Sequence, residues 1–544
     1  MSGPDRELWV AADAAEIQQM FELGTWEAVP TASVPRGTIR IPIMLVPQTK
    51  RSPDDLSVVI KLRVRHCGLG YRQLPFHHYM PGQISAPVAA TRSLRMVVSI
   101  AAYYGLTLET YDATSAHQTS RFPDGHPEIY IVPTSGYPTT MPNGEPASIR
   151  LRCALQGLRQ ASALWADFYD ATLQSASMTP TVSDSCIYRY SGSSLRADGT
   201  PAILLCVKVA DDLLMATEPG EPRDTLIEHL CSTHGVKAIE TATAFAGINI
   251  RTEPDGGYSL HQQPYVREVL ERFQFDNASP RSTPLPLGVT YKKWEGASVG
   301  HRYGEKWGAL AWLACSTYSV LSSPVMILGQ FLQNPGPEHM VALDHILRWL
   351  VTHGNLALTY GCNDYHHGDT GDTEGPVTKV RSESLRLVAY ADAEFATLDS
   401  HTRRSAGGWG AKLGGALIDW ACRFHAVIAQ SSAEGEYYTL SDCVNAILHL
   451  RQLLAELEQD VSAPTIIYED NRSVIAWAQT RKIHRAAKHI QIRYHAVKQY
   501  VVPNGNVAEL RSVPTAVQMA DYFTKILSKP VLERHLRVAG HTQF

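Results

Sequence analysis

The chain has 544 residues, 44 % of them hydrophobic and 19 % charged, with a formal net charge of −4. That length predicts roughly three or four domains, and the composition is that of a soluble globular chain rather than a disordered or fibrous one. The weak net charge excludes a general nucleic-acid binder, so any nucleic-acid footprint has to be local; the nine cysteines, scattered without a CxxC pair, exclude a zinc ribbon and a disulfide scaffold and suit a reducing compartment.

The opening MSGPDRELWV lacks the apolar centre of a signal peptide, and no run of about 18 apolar residues predicts a membrane span. Residues 1–24 read as a short amphipathic helix and 25–80 as strands punctuated by Pro and Gly. Helical spacing over Ala89–Gly105 stops at a glycine, and Leu106–Tyr111 reads as a strand feeding Asp112. The Ala- and Leu-rich stretch Ile149–Gln174 predicts a helix. The apolar run 202–216 predicts a hairpin whose tip carries Asp211 and Asp212. Two adjacent carboxylates there lose hydration and repel each other, and a divalent cation relieves both costs. With Asp112 on a neighbouring strand they meet the needs of a two-metal phosphoryl-transfer site. The order of elements fits an α+β palm of the split βαβ kind.

Residues 297–360 read as mainly helical and 361–385, polar and rich in Gly and Asp, as a linker. A second α/β unit follows: a strand at Leu385–Ala391, strands near 407–420, a helix from Ala433 to Leu457, a strand at Thr465–Tyr468 and a helix from Arg472 to Thr480. Asp392 follows the first of these strands, Glu436 lies in the first turn of the long helix, Asp470 ends the next strand, and Asp521 lies near the start of a late helical segment. Each has a bland alternative on its own, such as a helix N-terminus for Glu434 and Glu436 or a cap at Asp470-Asn471. Together they predict four carboxylates converging at one sheet edge around two magnesium ions, for phosphodiester hydrolysis.

These residues resemble the reverse transcriptase and ribonuclease H portion of a copia-type LTR-retrotransposon polyprotein, from about Trp9 to Pro530. Leu23–Pro30 resembles the family's NGTWELVP, Lys61-Leu62-Arg63 its KAR, Tyr111–Ala116 the strand with the first catalytic Asp, Ala154–Ala161 its LYGLKQAP, and Val209-Ala210-Asp211-Asp212 its YVDD. Further on, Gln333–His339 resembles the connection segment, Tyr390–Ala396 resembles YSDADWA, Ser431–Tyr437 SSTEAEY, Glu469-Asp470-Asn471 CDN, His484–Ile490 HxRTKHI, and Ala520–Lys525 ADIFTK.

The resemblance implies a right-hand (fingers–palm–thumb) α+β polymerase, then a connection region and an α/β ribonuclease H-like domain. The boundaries it implies are 1–270 for fingers and palm, 271–384 for thumb, connection and linker, 385–530 for the ribonuclease H-like domain, and 531–544 for a C-terminal tail. Asp112, Asp211 and Asp212 would be the polymerase metal ligands, and Asp392, Glu436, Asp470 and Asp521 the hydrolytic quartet, each set holding two Mg2+ or Mn2+ ions. Lys61 and Arg63 would contact the incoming triphosphate, His117 would stand at the gate against the nucleotide 2′-hydroxyl, and Gln156-Gly157 would pack on the nascent base pair. RNA template, DNA primer, RNA–DNA hybrid and dNTPs would be the partners, with no membrane role, in cytoplasmic particles with a product destined for the nucleus.

The chain departs from the pattern at Val209, where the family has tyrosine, at His117, where it has an aromatic gate, and at Ser162, where it has proline. Two readings stand: a polymerase with attached ribonuclease H, and a decayed remnant that at most binds nucleic acid. From Arg481 to Lys498 the chain carries six Lys or Arg, three His and no acid, a local basic patch suited to a phosphate backbone. Arg485 and Lys488 are its candidate contacts to an RNA–DNA hybrid read by shape.

Overall fold

The structure is a computed structural model that describes residues 6–51, 59–113, 116–196, 198–234, 240–361, 363–366, 378–381, 385–395, 403–480 and 491–544. It is a mixed α/β chain with strands in four sheets and one separate hairpin. The first sheet has the order β1-β6-β5-β2-β3 and is built from β1 (Trp26–Pro30), β2 (Ile41–Arg51), β3 (Val59–Gly68), β5 (Ile129–Val132) and β6 (Ala147–Leu151). The second has the order β11-β4-β10-β9-β8-β7, from β4 (Thr107–Asp112), β7 (Met178–Pro180), β8 (Ile187–Tyr190), β9 (Leu204–Val209), β10 (Asp212–Thr217) and β11 (Glu240–Thr241). The third joins β12 (Ala244–Phe245), β13 (Ile248–Thr252), β14 (Tyr258–His261) and β15 (Leu356–Tyr360) to β23 (His541–Gln543). A hairpin pairs β16 (Asn363–His366) with β17 (Thr378–Arg381), inside the stretch expected as a linker. The last sheet has the order β20-β19-β18-β21-β22, from β18 (Val388–Glu394), β19 (Ala406–Leu413), β20 (Ala416–Phe424), β21 (Thr465–Glu469) and β22 (Ala508–Ser512).

The helices are α1 (Arg6–Glu22), α2 (Thr91–Tyr104), α3 (Ala116–Thr119), α4 (Ala161–Ser175), α5 (Glu221–His234), α6 (Gln263–Phe273), α7 (Arg302–Ser316), α8 (Ser322–Gly329), α9 (Pro337–His353), α10 (Ser432–Glu456), α11 (Arg472–Gln479), α12 (Gln491–Tyr500), α13 (Asp521–Thr524) and α14 (Lys529–Val538). None among the described residues is long and apolar enough to cross a membrane. The helix expected over Ile149–Gln174 starts only at Ala161. Ile149 and Leu151 instead pair with Ala28 and Trp26 of β1, because alternate residues of β6 have a sheet face to bury.

Helix α2 explains how the sheets hold together. It ends at Gly105, whose φ of 68° lets its N–H close on the Ala101 carbonyl. Ser93 through Ala102 are buried without a break, so the helix has neighbours on every side. It packs on β9 and β10, on β14 and β15, and on β20. One apolar cluster therefore runs from Leu94 and Leu214 through Leu310 and Leu347 to Ile447 and Leu536. The β9–β10 hairpin divides between two cores by parity. Leu205, Val207, Leu214 and Ala216 enter the α2 side, while Leu204, Cys206, Leu213 and Met215 face Trp165 and Tyr169 of α4 and Leu226 of α5. A strand covered on both faces reads as a continuous apolar run.

The C-terminus is no tail. Lys529–Val538 is helical, and β23 pairs with β15, so 531–544 closes the third sheet. His541 is joined to Ser319 at 2.7 Å, and Ser319 to the hydroxyl of Tyr522 at 2.9 Å.

Candidate active sites

Asp112 is the last residue of β4 and Asp212 the first of β10, and they are register partners across the antiparallel pair. Side chains directly opposite share a face, with Cβ atoms about 4.5–5.5 Å apart. Asp211 sits in the two-residue turn after Val209, whose register partner is Asp212. That turn is strained: Ala210 has φ 54° without being glycine. Trp165 Nε1 donates to the Ala210 carbonyl at 2.9 Å and holds the tip in place. Both Asp211 and Asp212 are exposed. His117 lies near them on α3; burial pushes its pKa below the usual value, opposed by the Asp211 carboxylate.

The residues expected around this site divide. Lys61 is exposed on β3. Arg63 is ion-paired, its Nε 3.2 Å from the buried Glu16 of α1, so its charge is spent within the protein. Arg65, two residues on and therefore on the same strand face, donates to the Gln156 side chain at 3.1 Å. Gln156 accepts from the Gly68 N–H through its carbonyl at 2.7 Å, and a Cβ on Gly157 would stand 2.4 Å from the Gly68 carbonyl. The segment 156–157 is thus pressed against the end of β3.

The second site lies on the last sheet. Asp392 is on the central strand β18, 1 % exposed. Asp470 follows β21, which runs parallel to β18. Glu436 is in α10, which lies across β18. Carboxylate oxygens of Asp392, Glu436 and Asp470 all come within 4.8 Å of one another, the sole such acid cluster among the described residues. Glu434, two residues before Glu436, is used within the helix start: its side chain accepts from Gln430 N at 2.6 Å and from the Tyr438 hydroxyl at 2.6 Å. Glu436 Oε2 is buried with no hydrogen-bond partner.

Asp521 stands outside that 4.8 Å group but is tied to it. Lys525 Nζ lies 2.8 Å from Asp521 and 3.4 Å from Asp392, and the Thr524 hydroxyl donates to Asp392. Gly408 makes this approach possible. It is the register partner of Asp392, and a Cβ there would meet Phe523 Cβ at 2.3 Å, so only glycine lets α13 lie on the sheet. Burial raises the pKa of Asp392 and, with Glu469 and Asp392 nearby, pushes that of Glu436 well up. Burial and then Asp392 raise Asp521 to about 7. Burial lowers the Lys525 pKa, but Asp392 and Asp521 outweigh it and the group is held protonated.

Sequence reasoning missed Glu469, Lys525 and Arg65. Glu469 is fully buried beside Glu436, with one oxygen accepting from Asn471 N at 3.1 Å and the other without a partner. Alternation along Thr465, Ile467 and Glu469 carries that signal, and the four-residue spacing from Asp521 to Lys525 carries the ion pair. Arg485 and Lys488 lie outside the described residues. Lys498 of the same basic stretch is buried, so it offers no solvent-facing charge.

Residues 24–286 match the family model for reverse transcriptase (RNA-dependent DNA polymerase). The Pol polyprotein of transposon TNT 1-94 from Nicotiana tabacum is 26 % identical over 552 residues, covering 99 % of this chain and 38 % of the relative. Over nearly its whole length the chain is similar to the Pol polyproteins of copia-type retrotransposons. The Pol polyprotein of transposon RE1 from Arabidopsis thaliana is also 26 % identical, over 99 % of this chain and 34 % of the relative. The chain thus spans little more than a third of the length of these Pol relatives. A solved foamy viral protease–reverse transcriptase in complex with double-stranded DNA is similar at a TM-score of 0.49 and 12 % identity, covering 92 % of this chain and 69 % of that one. The family match contains the segments with Asp112, Asp211 and Asp212 but ends before the Asp392 cluster.

Proposed function

We propose that this Pol relative is an RNA-directed DNA polymerase with a ribonuclease H activity on RNA–DNA hybrids. The observation that carries the reading is the register pairing of Asp112 with Asp212, beside Asp211 and inside the segment that matches the reverse transcriptase family. RNA template, DNA primer and dNTPs are the substrates at that site, and the RNA strand of a hybrid at the other.

Divalent magnesium or manganese suits both donor sets, because hard cations take carboxylate oxygens and Glu436 offers a buried one without a partner. Bound there, two such ions supply activation of a hydroxyl or water and neutralisation of phosphate charge. Asp112, Asp211 and Asp212 would hold them at the polymerase site, and Asp392, Glu436, Asp470 and Asp521 at the hydrolytic site. Lys525 bridges Asp521 and Asp392 and holds them near each other before any ion enters. Gln156 and Gly157 position the nascent base pair, His117 lies at the sugar of the incoming nucleotide, and Lys61 with Arg65 answers its triphosphate. Arg63 is left to its pair with Glu16.

A second reading, the decayed remnant, draws on one observation: His117, half-buried and pushed toward neutrality, stands near Asp211 where the family pattern has an aromatic ring. Magnesium-dependent extension of a DNA primer on an RNA template separates the two. Extension that requires Asp211 and Asp212 supports the polymerase, and a folded chain without extension supports the remnant.

A further inference from the structure

Between Asp55 and Glu109 the sequence contains no Asp or Glu, while it carries the exposed cations Lys61 and Arg72. The loop after β3, residues 69–83, lies in the middle of this stretch and displays rings. Tyr71 is 67 % exposed and Phe76 71 %, with Leu74 and Met80 also exposed. Phe76 has φ 63°, a left-handed conformation that L side chains adopt only at a cost. Burial of its ring does not offset that cost.

The loop is held firmly. Gln73 donates to the Gln160 side chain at 3.0 Å and accepts from Arg159 N at 2.7 Å, and Gln160 donates to the His78 carbonyl at 3.1 Å. A Cβ on Gly70 would lie 2.3 Å from the Gly157 carbonyl, so the loop is seated against the Gln156-Gly157 segment. Arg72, His77 and Arg159 are exposed beside the rings, and the Arg72 guanidinium lies 5.5 Å from the centre of the Tyr71 ring. Rigid exposed rings interleaved with cations and free of acids match a polyanion with flat faces. Unpaired bases stack on such rings whatever their sequence, while cations follow the backbone. Fixing the rings in advance avoids paying their ordering entropy on binding.

We propose that Tyr71 and Phe76 form a stacking ledge for the unpaired bases of a single-stranded nucleic acid, the template strand ahead of the primer end. The assignment rests on the polymerase reading and adds a specific contact to it. The strand leaves the Gln156-Gly157 segment and crosses the loop with its bases on the two rings and its phosphates toward Arg72 and Arg159.

The test is binding of the full chain to a primer–template with a short 5′ template overhang and to the matching blunt duplex, by fluorescence anisotropy. 2-Aminopurine placed in the overhang reports stacking directly. The parent should bind the overhang substrate more tightly than the blunt one and quench the 2-aminopurine. Phe76→Gly and Tyr71→Leu should each lose roughly five- to a hundred-fold of the overhang-dependent gain, the worth of one stacked base, with affinity for the blunt duplex unchanged. Phe76→Gly also relieves the left-handed strain, so its thermal midpoint should not fall, and Tyr71→Phe should restore the quench. Blunt-duplex binding with an overhang gain and quench unaltered in both variants would overturn the ledge and leave the polymerase reading standing. A parent that binds neither substrate would overturn the polymerase reading and the ledge with it.

Discussion

Asp112 and Asp212 face each other across two hydrogen-bonded strands, as register partners at the exposed end of the second sheet. Like charges directly opposite on a sheet destabilise it by roughly 0.2–1 kcal/mol. On the proposed reading the pair serves a ligand that carries positive charge. Asp112→Asn and Asp212→Asn should each lower primer extension by at least about 100-fold. Their thermal midpoints in metal-free buffer should be unchanged or raised. A variant that unfolds would instead make these acids structural.

The turn that carries Asp211 stores strain at Ala210, with φ 54°. Glycine adopts that conformation freely, so Ala210→Gly should stabilise the chain by about 1 kcal/mol in chemical denaturation. The Trp165 contact to the Ala210 carbonyl survives the change, since only a methyl group is removed. A loss of stability would mean the methyl group packs against something that the backbone cost does not outweigh.

Stability and magnesium response should depend on pH through the Asp392 cluster. Asp521 is raised to about 7 from an ordinary 3.8. Between those values the folded chain holds a proton that the unfolded chain has lost. Stability contributed by this group is therefore greatest at low pH and falls as pH rises toward 7, flattening above. Magnesium has to displace that proton, so its stabilising effect should be larger at pH 8 than at pH 6. Thermal unfolding with EDTA and with magnesium at the two pH values checks this. An Asp521→Asn variant should lose most of the difference, and equal magnesium shifts at both pH values in the parent would contradict it.

Arg95 on α2 reaches across the molecule. Its Nε donates to the Ile418 carbonyl at 2.7 Å, one terminal nitrogen donates to the Ser316 carbonyl at 2.7 Å, and the guanidinium lies 3.9 Å from the Trp420 ring centre. Hydrogen bonds to a charged group are worth about 1.5–3 kcal/mol each, and the buried carbonyls left behind add to the loss. Arg95→Ala should therefore destabilise the chain by more than about 3 kcal/mol. Arg92→Ala, which removes a half-exposed pair with Asp419 at 3.7 Å, should cost under about 1 kcal/mol. Similar losses in the two variants would show that Arg95 does not anchor the last sheet.

The sites were more legible in the sequence than the way the chain is assembled. Asp112, Asp211 and Asp212 announce themselves because charged residues interrupt apolar strands, and strand pairing brings two of them face to face. Asp392 inside β18, Asp470 just past β21 and Glu436 near the start of α10 are legible for the same reason, although the sequence placed Asp392 after its strand rather than within it. Lys525 and Glu469 are less visible because their meaning depends on what α13 and α10 touch. The helix expected from Ile149 illustrates the limit of composition: an Ala- and Leu-rich stretch hides β6, whose strand character comes from β1 and β5 beside it. Arg63 shows the limit of position, since only the fold brings Glu16 to it. The end of the chain looked like a tail because β23 is three residues long and gains its place solely by pairing with β15.

The most direct test labels both strands of a DNA primer on an RNA template and follows them together in magnesium. The parent should extend the primer and shorten the RNA strand. Asp211→Asn/Asp212→Asn should abolish extension and leave cleavage, and Asp392→Asn should do the reverse. A folded parent that neither extends the primer nor cuts the RNA would rule out both activities and leave a remnant that has kept its acids without their chemistry.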